Sequence, residues 1–338
     1  MKTVKIVLTV LVFSVLRPAV GNGYGNYPSD IAWSDHGEYL LARLDTELVL
    51  VEVDGDSVAV ISGDPMSPSI SPGGRFGAFT MDGGLFFFPV SDPSDVRSVP
   101  WATHAETCFF DPAADPEEPV LVYASDSPYG TLHAASPTSA GSRLLNPEGR
   151  FHLKAPVLSP GGTAIACVNF ATNPTWYEEL FLLGGPYPHG TRARRDSTFR
   201  GWSEWHESNP VWLTDGELLF QIGGWGDWEL RVLNIETRED SVLIEDAQEP
   251  SAALEGRLVA FCRTDPLPDP ALNQSWEKPT MVMMLNTATG YLTKASGNGE
   301  WAVQPALSPD GEHIAWIRIT DRGRSLVVRD TEEFIGLP

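Results

Sequence analysis

Three histidines recur in step along this chain: His104, His152 and His206 fall at one position of a repeated frame, where other units hold Tyr27, Asp64, Asp246 and Trp301. Imidazole is the commonest neutral nitrogen ligand, so three with an open coordination position could hold zinc or manganese; as isolated surface side chains they would do nothing of the kind. Three residues further on stands a second aligned set, Asp30, Ser67, Thr107, Ala155, Asn209, Glu249 and Gln304. It is polar at every place but Ala155, which suits a small polar ligand or a cation and equally suits a hydrated channel. A third set is a basic cluster with flanking aromatics, Arg192, Arg194, Arg195, Arg200, Trp202 and Trp205. In a chain of net charge -22 it is the one concentrated anion-attracting patch. It fits either docking of an anionic glycan or acidic partner, with indole faces for stacking, or a solvated loop whose arginines pair with nearby carboxylates.

The frame that aligns these residues is a short phrase, fullest at Pro305-Ala-Leu-Ser308-Pro309-Asp310-Gly311. Copies stand at Pro68 to Gly74, Pro156 to Gly162 and Pro210 to Gly216, with degraded copies at Ile31 to Gly37, Cys108 to Pro112 and Pro250 to Gly256. Each copy is followed by an apolar strand, a polar loop, a second apolar strand and a weaker last strand. Proline presets φ at the second turn position and the closing glycine supplies positive φ, so each phrase reads as a tight turn between antiparallel strands. A lone four-stranded unit leaves two apolar faces uncovered, and radial packing of several such units buries them. The phrase therefore predicts an all-β propeller of seven blades, about 45 residues each, with six as the alternative if the degraded third unit forms no blade. The aligned polar set then falls at the start of each innermost strand, ringing the mouth of the central channel. The segments between second and third strands, Thr264 to Pro279 and Ala171 to Glu179, fall on the same face and suit either binding or covering a blade edge.

The start of the chain reads as an export leader, residues 1–21: Lys2 and Lys5, an apolar run from Ile6 to Leu16, and small residues at Ala19 to Gly21. That run is too short to span a bilayer, which takes roughly 20 apolar residues, and no later segment is long and apolar enough. The expected mature protein is a single propeller domain over 22–338, periplasmic or secreted, monomeric and without a membrane span. Loss of Lys2, Lys5 and Arg17 would move the charge from -22 to about -25, which disfavours nucleic acid as a partner. Cys108, Cys167 and Cys262 lie in three different units within apolar stretches and are expected as buried free thiols. No Walker loop, dinucleotide fingerprint, His-Glu-x-x-His or Gly-x-Ser-x-Gly is present, so no cofactor is expected beyond the divalent metal that the histidines could hold. For ring closure, residues 22–28 are slightly preferred over the tail after Glu333 as the outer strand of the last blade.

The Ser-Pro-Asp-Gly phrase, the strand after it and the run Asp227-Trp-Glu-Leu-Arg-Val-Leu-Asn234 resemble the TolB-type propeller repeat, a relative of the WD-repeat class, over almost the whole mature chain. The expected chain differs from that family in lacking the N-terminal TolB-like α/β domain and any peptidase domain. The resemblance implies a binding or interaction module for a protein or glycan partner at the channel-mouth face. Propellers with similar repeats also include pectate-fragment lyases, which use histidines and a metal at the mouth. That similarity implies the alternative, a metal-dependent uronate lyase; no catalytic residue is carried over, since no motif of that family matches here.

Overall fold

A computed structural model describes residues 9–11, 30–55, 58–125, 130–136, 141–145, 153–171, 177–184, 187–193, 206–224, 227–264 and 280–335. The strands form seven four-stranded antiparallel sheets, whose in-sequence portions span 31–62, 66–103, 105–144, 153–192, 206–245, 248–294 and 301–330. We number these blades 1 to 7. The first strands of consecutive blades touch one another all the way round, blade 7 against blade 1 included, so they are the innermost strands of a closed ring. The degraded third unit forms a full blade, from Ala105–Phe110 to Ser142–Leu144.

Period-2 alternation explains why the blades cannot stand apart. In the second strand of blade 1, Tyr39–Leu44, the side chains of Leu40, Ala42 and Leu44 pack on blade 7, while Leu41 packs on blade 2. The same division recurs round the ring and gives seven apolar clusters, one in each gap between neighbouring blades. At about 25 cal/mol per Å² of apolar surface removed from water, these seams are the main favourable contribution to folding. The seam between blades 7 and 1 joins Ile31, Trp33 and Leu40 to Ala306, Ile317 and Leu326, and the Trp33 indole N–H donates to the Ala306 carbonyl at 3.0 Å.

The recurrent phrase turns as its residues dictate, with one addition. Gly37, Gly74, Gly162 and Gly311 take φ between 65° and 73°, as the turn requires. The serine three places earlier is buried in each case. Its hydroxyl oxygen accepts the amide N–H five residues on: Ser34 from Tyr39 at 3.0 Å, Ser71 from Phe76 at 2.9 Å, Ser159 from Ala164 at 3.3 Å and Ser308 from His313 at 2.9 Å. The serine thus staples the innermost strand to the second one. In blade 5 that place is taken by Leu213, and the next residue, Thr214, has a hydroxyl that accepts the Gly216 N–H at 3.1 Å.

Ring closure differs from the sequence preference. The outer strand of blade 7 is Thr9–Leu11, antiparallel to Gly323–Asp330 with Val10 opposite Leu326. These three residues belong to the apolar run read as an export leader, and their β-branched threonine and valine suit a strand. Residues 22–28 lie outside the described residues. No helix is long and apolar enough to cross a membrane among those described.

Candidate functional site at the channel mouth

The expected strand-start placement is only approximate, since the aligned set lies at the second to fourth residue of the innermost strands, Asn209 and Gln304 deepest, with Asp30 just before its strand; five share an unusual backbone. Ser67, Ala155, Asn209, Glu249 and Gln304 all take left-handed φ, between 45° and 54°. Each precedes a proline: Pro68, Pro156, Pro210, Pro250 and Pro305. Proline has no N–H for the ladder, so pairing breaks there. The register between first and second strands shifts at each of these places, as between Ser208 and Val211, Gln248 and Ser251, and Val303 and Ala306. Such bulges re-aim a side chain, and a left-handed non-glycine residue costs on the order of 1–2 kcal/mol. Thr107 stands at a register shift without proline or positive φ, and Asp30 immediately precedes the first strand of blade 1.

On the side of blades 5, 6, 7 and 1 the re-aimed side chains join into one polar network. The Asn209 amide donates to Gln221 Oε1 at 3.0 Å, and the same oxygen accepts the Glu249 backbone N–H at 2.7 Å. Glu249 Oε2 accepts the Gln304 backbone N–H at 2.7 Å, and the Gln304 side chain hydrogen-bonds the Asp30 carboxylate. Asp30 is 5 % exposed and lies between two guanidiniums, Arg43 Nη1 and Arg324 Nη1, each at 3.7 Å. These arginines also reach outward, Arg43 to Asp64 at 3.0 Å and Arg324 to Asp45 at 3.8 Å.

Burial dominates the electrostatics of both acids. Desolvation holds the Asp30 carboxyl above the usual carboxylate range despite the opposing pull of Arg43 and Arg324. Desolvation likewise raises Glu249, with the Asp30 charge adding to the shift, while the Gln304 N–H, the Cys262 thiol and Arg324 oppose it. Among the described residues, no lysine, arginine or histidine lies within 4.0 Å of the Glu249 carboxylate, so hydrogen bonds rather than an ion pair hold it. The Cys262 thiol is pushed well above its ordinary value by burial and by the Glu249 charge.

The structure therefore brings together Asp30, Asn209, Glu249 and Gln304. Ser67 and Thr107 stand elsewhere on the ring: the Ser67 hydroxyl accepts the Cys108 N–H at 2.9 Å, next to Thr107. Sequence reasoning missed Gln221, Arg43 and Arg324. The available signal was a lone polar residue inside an apolar strand, as in Leu-Leu-Phe-Gln-Ile and Tyr-Leu-Leu-Ala-Arg-Leu.

At the histidine frame position His104, Asp64 and Asp246 share left-handed φ, whereas His206 and Trp301 do not. His104 is exposed, and His206 lies with Nδ1 3.4 Å from Glu178 Oε2. His152 is outside the described residues, and among those described no three His, Cys, Asp or Glu side chains gather closely enough to hold a metal. Of the basic cluster, Arg192 ends the outer strand of blade 4, Tyr187–Arg192; Arg194, Arg195, Arg200, Trp202 and Trp205 are outside the described residues. The same is true of 265–279 and 172–176 in the two long loops. All three cysteines are free and buried.

No family model and no curated protein matches this sequence. Solved structures do. An oligogalacturonate lyase from Vibrio parahaemolyticus superposes with a TM-score of 0.63 at 11 % identity, covering 90 % of each chain. A TolB-type protein from Agrobacterium tumefaciens gives 0.53 at 12 % identity, over 83 % of this chain and 95 % of that one. The tricorn protease gives 0.62 at 11 % identity, over 91 % of this chain and 33 % of that one. The chain is a seven-bladed β-propeller, distantly similar in fold to TolB, oligogalacturonate lyase and peptidase propellers. At such identity the likeness establishes the fold alone.

Proposed function

We propose that this protein is an exported binding module that engages a protein or glycan partner through its channel-mouth face. The observation that carries the reading is the mouth network itself. Asn209, Glu249 and Gln304 each hold a strained left-handed backbone at a bulge, and their side chains link across blades into a partly exposed array that ends at Asp30. Strain of this kind persists where surrounding structure fixes it, and it concentrates at clamps for ligands. Loops and strand ends on a rigid ring are also where binding surfaces are built. The opposite face, formed by the Ser-Pro-x-Gly turns, is spent on stapling the hairpins.

The test is a screen of glycans and candidate proteins against the wild type, an Asn209→Ala/Gln304→Ala variant at the mouth and a Glu312→Gln variant on the turn face. A partner retained by Glu312→Gln and lost with the mouth variant supports the reading. Equal retention by both variants, or turnover of a polyuronate by the wild type, overturns it.

A further inference from the structure

Six of the seven blades draw all four strands from one continuous stretch of chain, and blade 7 does not. Its third strand, Gly323–Asp330, is eight residues long, and the strand outside it is the triplet Thr9–Leu11. That triplet lies within residues 1–21, the run that reads as an export leader. Among the described residues no apolar seam includes one before Ile31, so the ring is built without the triplet.

The backbone of Gly323–Asp330 fixes which groups an outer strand can use. Thr331 N–H donates inward to the Glu312 carbonyl at 2.8 Å, and Thr320 pairs with Gly323 at the hairpin end, with no register shift between. Pairing alternates along an antiparallel ladder, so the N–H and C=O groups of Arg324, Leu326, Val328 and Asp330 point away from the second strand, toward the rim. Among the described residues only Leu326 of these four is met, by Val10. Both neighbouring blades leave apolar side chains uncovered toward this edge. Val58 and Val60 pair with Val51 and Val49, which pack on blade 7, so they share the face turned to it; they are 45 % and 50 % exposed. On the other side Tyr291 pairs with Asn286, on the face that carries Met284 into the seam of blades 6 and 7, and is 49 % exposed.

We infer that removal of the leader turns the outer edge of blade 7 into a docking site for an extended apolar strand of a partner protein, added antiparallel to Gly323–Asp330. Thr9–Leu11 supplies the chemistry of the occupant: an uncharged, partly β-branched segment whose central residue stands opposite Leu326 and shares its outward backbone groups. A longer strand in that place extends the pairing to Arg324 and Val328, between the exposed valines of blade 1 and Tyr291 of blade 6. In the unprocessed chain the leader fills the edge itself, so docking waits on export. The inference rests on the export part of the proposed function and is independent of the mouth network.

Fluorescence anisotropy with a labelled peptide of residues 7–13 (Val-Leu-Thr-Val-Leu-Val-Phe), carrying a polyethylene glycol tail for solubility, tests it on the intact chain and on the chain starting at Asn22. Saturable binding to the shortened chain is expected. Binding to the intact chain should be at least about tenfold weaker, because the tethered strand competes at an effective concentration on the order of millimolar. Val10→Pro in the intact chain removes the N–H that faces Leu326 and should raise peptide binding at least about threefold, a readout that needs no truncation. N-methylation of the peptide at its Val10 should weaken binding at least about tenfold, whereas the same group on Thr9 or Leu11, whose N–H points away from the blade, should change it less than about threefold. No saturable binding to either opened chain, equal binding to intact and shortened chains, or equal loss from methylation at all three positions overturns the inference. Self-association of the shortened chain that the peptide does not disrupt, or an exported protein that keeps Thr9–Leu11, overturns it as well. The Asn209→Ala/Gln304→Ala variant of the shortened chain should bind the peptide like wild type, so a failed peptide titration leaves the mouth reading standing and a failed mouth screen leaves the peptide result standing.

Discussion

Replacing Ser71 by alanine isolates what the recurrent serine does. Ser71 is 0 % exposed, and its hydroxyl oxygen accepts the Phe76 N–H at 2.9 Å. Two backbone bonds of the same turn survive the change, Ser71 N–H to Phe76 at 2.8 Å and Gly74 N–H to Ser71 at 2.9 Å. Alanine opens almost no cavity, so the loss is one hydrogen bond plus an unsatisfied, half-buried N–H. That costs about 1–2 kcal/mol. In a chain of this size it lowers the melting temperature by roughly 1.5–3 °C. Thr214→Ala, one place later in the corresponding turn of blade 5, is the comparison, because its hydroxyl accepts only the exposed turn N–H of Gly216. It should cost under about 0.5 kcal/mol. Urea unfolding of the two variants beside the wild type measures both numbers. Equal effects, or a Ser71→Ala cost below about 0.3 kcal/mol, would refute the staple and reopen the serine for another role.

Two more outcomes follow from buried groups. Glu249 has a raised folded-state pKa, so its ionised form is disfavoured in the folded protein, and this contribution to stability falls as pH rises above the ordinary glutamate value of 4.5. Asp30, Arg324 and Cys262 face it and are unchanged in Glu249→Gln, whose amide oxygen still accepts the Gln304 N–H. The melting-temperature difference, variant minus wild type, should be near zero at pH 4 and positive at pH 7.5; a negative difference at pH 7.5 would show the carboxylate to be net stabilising. The three thiols should resist a disulfide reagent in the native protein and react only on unfolding, because all are buried and burial pushes Cys108 up to about 12. Reaction of a thiol at native pH without unfolding would contradict their placement in the seams.

The blades were legible because each unit carries its own turn chemistry, so even the degraded third copy marked a blade. The mouth positions were legible for a related reason: the proline that opens each phrase breaks the ladder one residue after the mouth side chain, and counting from it locates Asn209, Glu249 and Gln304. Their partners were not. Gln221, Arg43 and Arg324 come from second and third strands, and which of them reaches the mouth depends on side-chain packing that spacing does not encode. The closing strand was hidden for another reason. Thr9–Leu11 lie in the apolar run beside Lys2 and Lys5 that hydropathy reads as a leader, and their pairing with an edge more than 300 residues away leaves no local signal. The histidines show the limit of alignment, since His104 and Asp64 share a left-handed backbone at one frame position that His206 does not adopt.

The central claim is that recognition belongs to the mouth network. The direct measurement is the dissociation constant of one partner for wild type, Asn209→Ala/Gln304→Ala and Glu312→Gln. A mouth variant weakened at least about tenfold, or ~1.4 kcal/mol, with Glu312→Gln within about twofold of wild type, is the predicted result. Equal affinities for all three, or a loss confined to Glu312→Gln, would contradict it.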